Sequence, residues 1–172
     1  MQGVVLSDLI KYPDNRGYFM EVGRDYLYPT TFIQENQSGS WHNVIRGLHY
    51  QDQPKAQAKA VRVIRGKIFD VIVDLRKNSE TFGKWNGYYL CEENPQELYI
   101  PQGFAHGFLV VSSFAEVLYK VDNYYSPEYD RTLLWNDPYL NIPWPVEDPI
   151  ISKKDQNGKF FLDCDYYGDD DE

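Results

Sequence analysis

The chain has 172 residues, 42% hydrophobic, 16% aromatic and 25% charged, which suits one compact domain; no apolar run nears the roughly 18 residues that cross a bilayer, and no secretory leader is expected. Cys91 and Cys164 are too few for a disulfide framework and show no CxxC spacing, so a reducing cytoplasm is the expected compartment. A net charge of −9 excludes a general nucleic-acid binder but allows a small anionic ligand.

Helical periodicity is scarce, while β-branched and aromatic residues recur in short alternating runs broken by Gly, Pro, Asn and Asp. In chain order, strands are predicted at 3–9, 31–36, 44–51, 60–64, 68–75, 85–90, 96–100, 103–111 and 115–123. Short helices are expected only near Asp25 and in the last quarter. Nine short strands without a repeat or a flexible linker predict an all-β sandwich or barrel, with two inner faces packed together, over residues 1–167. Six acids between Asp163 and Glu172 supply six of the nine negative charges, and 168–172 reads as a solvated acidic tail.

Two hairpin registers follow from the rule that a one-residue slip would turn an apolar face to water. A turn at Arg65-Gly66-Lys67 would set Val63 opposite Phe69, Val61 opposite Val71 and Arg62 opposite Asp70. Lys59 would then lie opposite Val73, at the end of an apolar face, unless its amine bends out to solvent. A turn at Ser112-Ser113 would place Phe104, His106, Phe108 and Val110 on one face with Ala115, Val117, Tyr119 and Val121. His106 and Tyr119 would face each other, as a satisfied core pair or as the floor of a polar cavity.

Of the three histidines, His49 follows Gly47 within a strand, where glycine permits close approach of backbone or ligand, and imidazole moves protons near neutral pH. Alone, a strand histidine is more often structural, and His42, in a loop after Trp41, carries no assigned role. No His-x-His pair or convergent set of ligands argues for a metal, and neither Cys91 nor any serine has a setting that would activate a nucleophile.

A more specific signal runs through the whole chain. Asp14-Asn15-Arg16-Gly17-Tyr18-Phe19, Ile45-Arg46-Gly47-Leu48-His49-Tyr50-Gln51, Asp70-Val71-Ile72-Val73-Asp74-Leu75-Arg76, Ile100-Pro101-Gln102-Gly103-Phe104-Ala105-His106-Gly107-Phe108, Leu134-Trp135-Asn136-Asp137 and Ile150-Ile151-Ser152-Lys153-Lys154-Asp155 stand in a recognisable order. In order and approximate spacing these segments resemble the dTDP-4-dehydrorhamnose 3,5-epimerases. The resemblance implies a cupin-type jelly roll, a homodimer, no metal or other cofactor, and the third step in making dTDP-L-rhamnose. It implies that His49 is the catalytic base, Asp155 its paired carboxylate and Tyr119 the acid on the opposite ring face. It further implies that Lys59, Arg46 and His106 lie near the sugar's C4 oxygen. Arg16, Phe19, Glu21, Gln34 and Asn36 would contact thymidine or diphosphate, some of them across the dimer.

The chemistry explains such a set. Both carbons to be inverted flank a C4 ketone, so removing either proton gives an enolate whose charge rests on the C4 oxygen, where cationic donors belong. A neutral imidazole takes the proton, a carboxylate fixes its tautomer, and an acid on the opposite face completes inversion. Lys59 and Tyr119, anomalous on apolar faces, become useful if those faces line a cavity. The sequence departs from the family pattern at Met20, Trp41-His42-Asn43, Tyr50, Ala58 and Ala60, none of them a reacting group. The rival readings are an epimerase acting on one carbon only and a noncatalytic sugar-nucleotide binder on the same fold.

Overall fold

The computed structural model describes residues 1–24 and 27–168. Strands β1 (Val5–Asp8), β2 (Lys11–Asp14), β3 (Gly17–Met20), β4 (Gln34–Trp41), β5 (Val44–Gln51), β6 (Lys59–Arg65) and β7 (Lys67–Asp74) form the first half. They are followed by β8 (Trp85–Cys91), β9 (Gln96–Ile100), β10 (Phe104–Val110), β11 (Phe114–Val121), β12 (Asp130–Thr132) and β13 (Ile150–Ile151). A one-turn helix α1 (Lys153–Gln156) and a 3-10 turn at Phe161–Asp163 are the helical segments of the last quarter, as expected there. The other expected helix falls partly on residues 25 and 26, and most of the acidic tail on 169–172, outside the described residues.

The strands form two facing sheets, ordered β1-β9-β6-β11-β4 and β12-β5-β10-β7-β8, with β13 alongside β5 and a separate β2-β3 hairpin. This is the jelly-roll sandwich expected from the sequence. Two apolar layers hold it. Val61, Val63, Leu98, Ala115 and Val117 of the first sheet meet Ile68, Ile72, Leu90, Phe104, Phe108 and Val110 of the second in the sandwich interior. On the second sheet's other face Phe69, Val71, Val73 and Leu109 pack under Leu133, Leu140, Ile142, Trp144 and Phe161. The second sheet is therefore covered on both sides, which gives β7 and β10 their nearly unbroken apolar runs.

Both expected hairpin registers are overturned. β6 pairs with β9 and β11, and β7 with β8 and β10, so the Arg65-Gly66-Lys67 turn carries the chain from one sheet to the other. Arg62 lies beside Glu97 and Leu118, not Asp70, and Lys59 beside Ile100 and Val121, not Val73. Likewise β10 and β11 belong to opposite sheets: His106 pairs with His49 and Ile72, and Tyr119 with Asn36 and Val61. Alternation reports which side of a strand is buried. Strands that face across a sandwich share that signature with strands paired side by side. The inward placement of His106, Tyr119 and Lys59 is nevertheless correct, and Lys59, 7% exposed, does not bend into solvent.

Candidate active site

Between the sheets, at the open end near β12, lies a cavity of ≈ 370 Å³ whose wall includes Arg46, His49, Lys59, His106 and Tyr119. Its placement begins with Gly47 in β5. Gly47 has φ of +117°, and a Cβ there would fall 2.6 Å from the Gly107 Cα and 2.7 Å from the His106 carbonyl oxygen. Only glycine lets β5 and β10 approach so closely, and that approach sets His49 and His106 side by side as Cα partners.

The partner of His49 comes from far along the chain. Two-residue β13 lies parallel to β5, pairing Ile150 with Val44 and Ile151 with Ile45. Ser152 then caps α1, its hydroxyl accepting the Asp155 N–H at 3.1 Å. This turn delivers the buried Asp155 carboxylate to His49: Oδ1 lies 2.6 Å from Nε2, and Oδ2 accepts the Gly47 N–H at 3.2 Å. Burial pushes the Asp155 carboxyl up, but the hydrogen bond and charge of His49 and the Gly47 N–H outweigh it and hold the group below the usual carboxylate range. An ionised Asp155 accepting from Nε2–H leaves Nδ1 of His49 free to take a proton.

From the opposite sheet, β6 sends Lys59 inward, where its Nζ donates to the His49 carbonyl at 3.2 Å. Burial lowers this ammonium to about 8, opposed by the charges of Asp70 and Asp130 and assisted by that of Lys154. Tyr119 enters from β11. Burial raises its phenol, Arg46 partly offsets the rise and Asp130 adds to it, so the proton stays on at neutral pH. Arg46 is steered by Ser40 of β4, whose hydroxyl accepts its Nε–H at 2.8 Å. His106 Nε2 lies 2.8 Å from an oxygen of Asp70.

Gln34 and Asn36 also line the cavity, from β4, with the Gln34 amide donating to the Asn36 side chain at 2.9 Å. Arg16, Phe19 and Glu21 are elsewhere. Arg16 and Phe19 stand on the β2-β3 hairpin, with Phe19 70% exposed and Arg16 paired with Asp14, while Glu21 follows that hairpin and pairs with Arg24. His42 is exposed outside the cavity, its Nδ1 3.1 Å from the Ser112 carbonyl. The Cys164 thiol is pushed up to about 11 by burial and is no nucleophile at neutral pH. Among the described residues no three His, Cys, Asp or Glu side chains are grouped as metal ligands.

The sequence reading missed Tyr125, Asp130 and Lys154, which complete the rim: Asp130 accepts from the Tyr125 hydroxyl at 3.0 Å and pairs with the Lys154 ammonium. Asp130 sits in a three-residue strand, too short for any periodicity, but the position of Lys154 next to Asp155 was an available signal.

A family model described as dTDP-4-dehydrorhamnose 3,5-epimerase matches residues 1–163. The chain is 49% identical over 162 residues to the dTDP-4-dehydrorhamnose 3,5-epimerase of Shigella flexneri, covering 91% of this chain and 90% of that protein. It superposes with a TM-score of 0.91 and 40% identity on the dTDP-6-deoxy-D-glucose-3,5-epimerase of Legionella pneumophila Philadelphia 1 in complex with dTDP-4-keto-L-rhamnose, covering 96% and 91% of the two chains. A 3′-monoepimerase of Streptomyces bikiniensis in complex with dTDP-quinovose is more distant, at 29% identity and a TM-score of 0.87 over 93% and 84%. The chain belongs to the dTDP-4-dehydrorhamnose 3,5-epimerase family of isomerases.

Proposed function

We propose that this cavity binds dTDP-4-dehydro-6-deoxy-D-glucose and inverts C3 and C5 in turn to give dTDP-4-dehydro-L-rhamnose. The observation that carries the reading is the 2.6 Å contact of His49 with Asp155, closed across the whole fold, at a cavity that also holds Lys59 and Tyr119. Nδ1 of His49 takes the proton from a carbon next to the C4 ketone. Asp155 keeps the ring in that tautomer and stabilises the imidazolium that forms. Charge moves to the C4 oxygen, where Lys59 and Arg46 donate, with the His106 ring standing beside them. A fixed, buried donor such as Lys59 needs no reorganisation as the charge appears. Tyr119, on the facing sheet, returns a proton to the opposite side of the carbon, and repetition at the second carbon completes the reaction.

We also propose that the working unit is a homodimer. Arg16 and Phe19 stand in solvent on a hairpin that does not line their own cavity, beside exposed Tyr12 and Tyr18. In a dimer this hairpin and the adjoining Glu21 reach the partner's cavity, where Arg16 meets diphosphate and Phe19 stacks on thymine, next to Gln34 and Asn36. Two unpaired cysteines, Cys91 and Cys164, support a cytoplasmic setting.

Turnover in deuterated water is the test. Deuterium at both C3 and C5 of the product is expected. Label confined to one carbon would assign inversion at a single centre, and binding without label would leave only a sugar-nucleotide binder.

A further inference from the structure

Asp70 stands in the middle of β7 on the side of Ile68 and Ile72, facing the sandwich interior, and is fully buried. One oxygen lies 2.8 Å from His106 Nε2, and the other has no hydrogen-bond partner among the described residues. A carboxylate so placed is strongly disfavoured unless opposite charge faces it. Lys59 supplies that charge from the first sheet: of the acids acting on its ammonium, Asp70 acts most strongly, ahead of Asp130. Among the described residues the ionisable groups around Lys59 are Arg46, His49 and Tyr50 on β5, His106 on β10, Tyr119 on β11, Tyr125, Asp130 on β12 and Lys154 on α1, with Asp155 behind His49 and Asp70 of β7 behind His106. Asp70 and Asp130 are the acids that act on the Lys59 ammonium, and Asp130 is already held by Tyr125 and Lys154.

We propose that Asp70 is a positioning residue for the Lys59 donor: its buried carboxylate keeps Lys59 protonated and fixes the His106 ring beside it. This explains why a lysine tolerates an apolar layer, and why one carboxylate oxygen there has no hydrogen bond: the ammonium across the interior neutralises it without bonding to it. The inference rests on the reading of Lys59 as a donor to the enolate oxygen, and it adds the group that keeps this donor charged.

The test compares Asp70→Asn with the parent, following deuterium uptake from solvent into dTDP-4-dehydro-6-deoxy-D-glucose from pH 6 to 10. The amide keeps the shape and an acceptor for His106 but loses the charge. In the parent, kcat falls as pH rises through about 8. In Asp70→Asn that fall begins about one pH unit lower, because losing a nearby opposite charge in the interior is worth roughly that much. kcat is then reduced about twofold at pH 7 and about tenfold by pH 9, with KM changed by less than about threefold. Coincident pH profiles for parent and variant would overturn the proposal. No uptake by the parent would instead overturn the assigned function, and the proposal with it.

A stability cycle tests the same pairing without turnover. Asp70→Asn lowers the melting temperature of the parent, but in a Lys59→Met background it raises it, because the carboxylate there has lost its counter-charge. Should Asp70→Asn alone not fold, recovery of folding in the double variant supports the pairing. Failure to fold in both backgrounds, or additive effects in the cycle, would make Asp70 a structural residue only.

Discussion

Two histidine–aspartate pairs stand side by side on the cavity wall, and they differ in every respect that matters for proton chemistry. His49 and His106 are Cα partners on adjacent strands. The His49 side chain is 35% exposed, and its carboxylate comes from a short capped turn, with both oxygens hydrogen-bonded. The His106 side chain is 8% exposed, and its carboxylate rises from the neighbouring strand in the sandwich interior, with one oxygen unbonded among the described residues. A ring that exchanges protons must reach substrate and water, whereas a donor that stabilises developing charge works best where water is excluded. One residue pairing, set at two depths, thus supplies a base at the surface of the cavity and a buried ring and carboxylate beside the Lys59 donor.

The strongest way to break this comparison is Asp155→Asn. The amide leaves the ring placed but offers the wrong hydrogen-bond pattern, so kcat is expected to fall on the order of 10³-fold or more. A fall under tenfold would mean that Asp155 only tethers α1. Lys59→Met comes next, with an expected loss of about 10²- to 10³-fold in kcat at pH 7, as for removal of one oxyanion donor. The pH dependence has a definite sign: burial has lowered Lys59 to about 8, so the charged donor is present below that pH and turnover is lost as pH rises through it. A profile flat to pH 10 would contradict the assignment. Tyr119→Phe should reduce inversion about 10²-fold while solvent exchange of substrate protons falls less, since the base and the Lys59 donor remain. The smallest effect is expected outside both pairs. Phe19→Ala should raise KM up to about tenfold with kcat nearly unchanged, measured by steady-state turnover.

The sequence was a good guide to which strands exist and which side of each is buried. The bounds of β5 and β9 were legible to the residue, because turn residues close both, Asn43 and Asp52 around β5 and Pro95 and Pro101 around β9. The inward faces of β6, β10 and β11 were legible too, which is why Lys59, His106 and Tyr119 stood out. Pairing was not legible, because an alternating face does not identify its neighbour. The error had one direct consequence: Asp70, set against Arg62 in a hairpin that does not form, was never seen as the anchor of His106. Strands β12 and β13, of three and two residues, are too short to leave a pattern, yet they hold Asp130 and lead to Asp155. The juxtaposition of Asp155 with His49 came only from resemblance to a family, and its physical cause is the parallel pairing of β13 with β5.

The central claim is that a single imidazole serves both carbons. The most direct measurement follows exchange of the C3 and C5 hydrogens with deuterated water in parent and His49→Ala enzyme, using NMR to read each carbon separately. The account predicts that exchange falls at both positions together, by about 10²-fold or more. Exchange persisting within about tenfold of the parent at either carbon would show that another group removes that proton, and would contradict it.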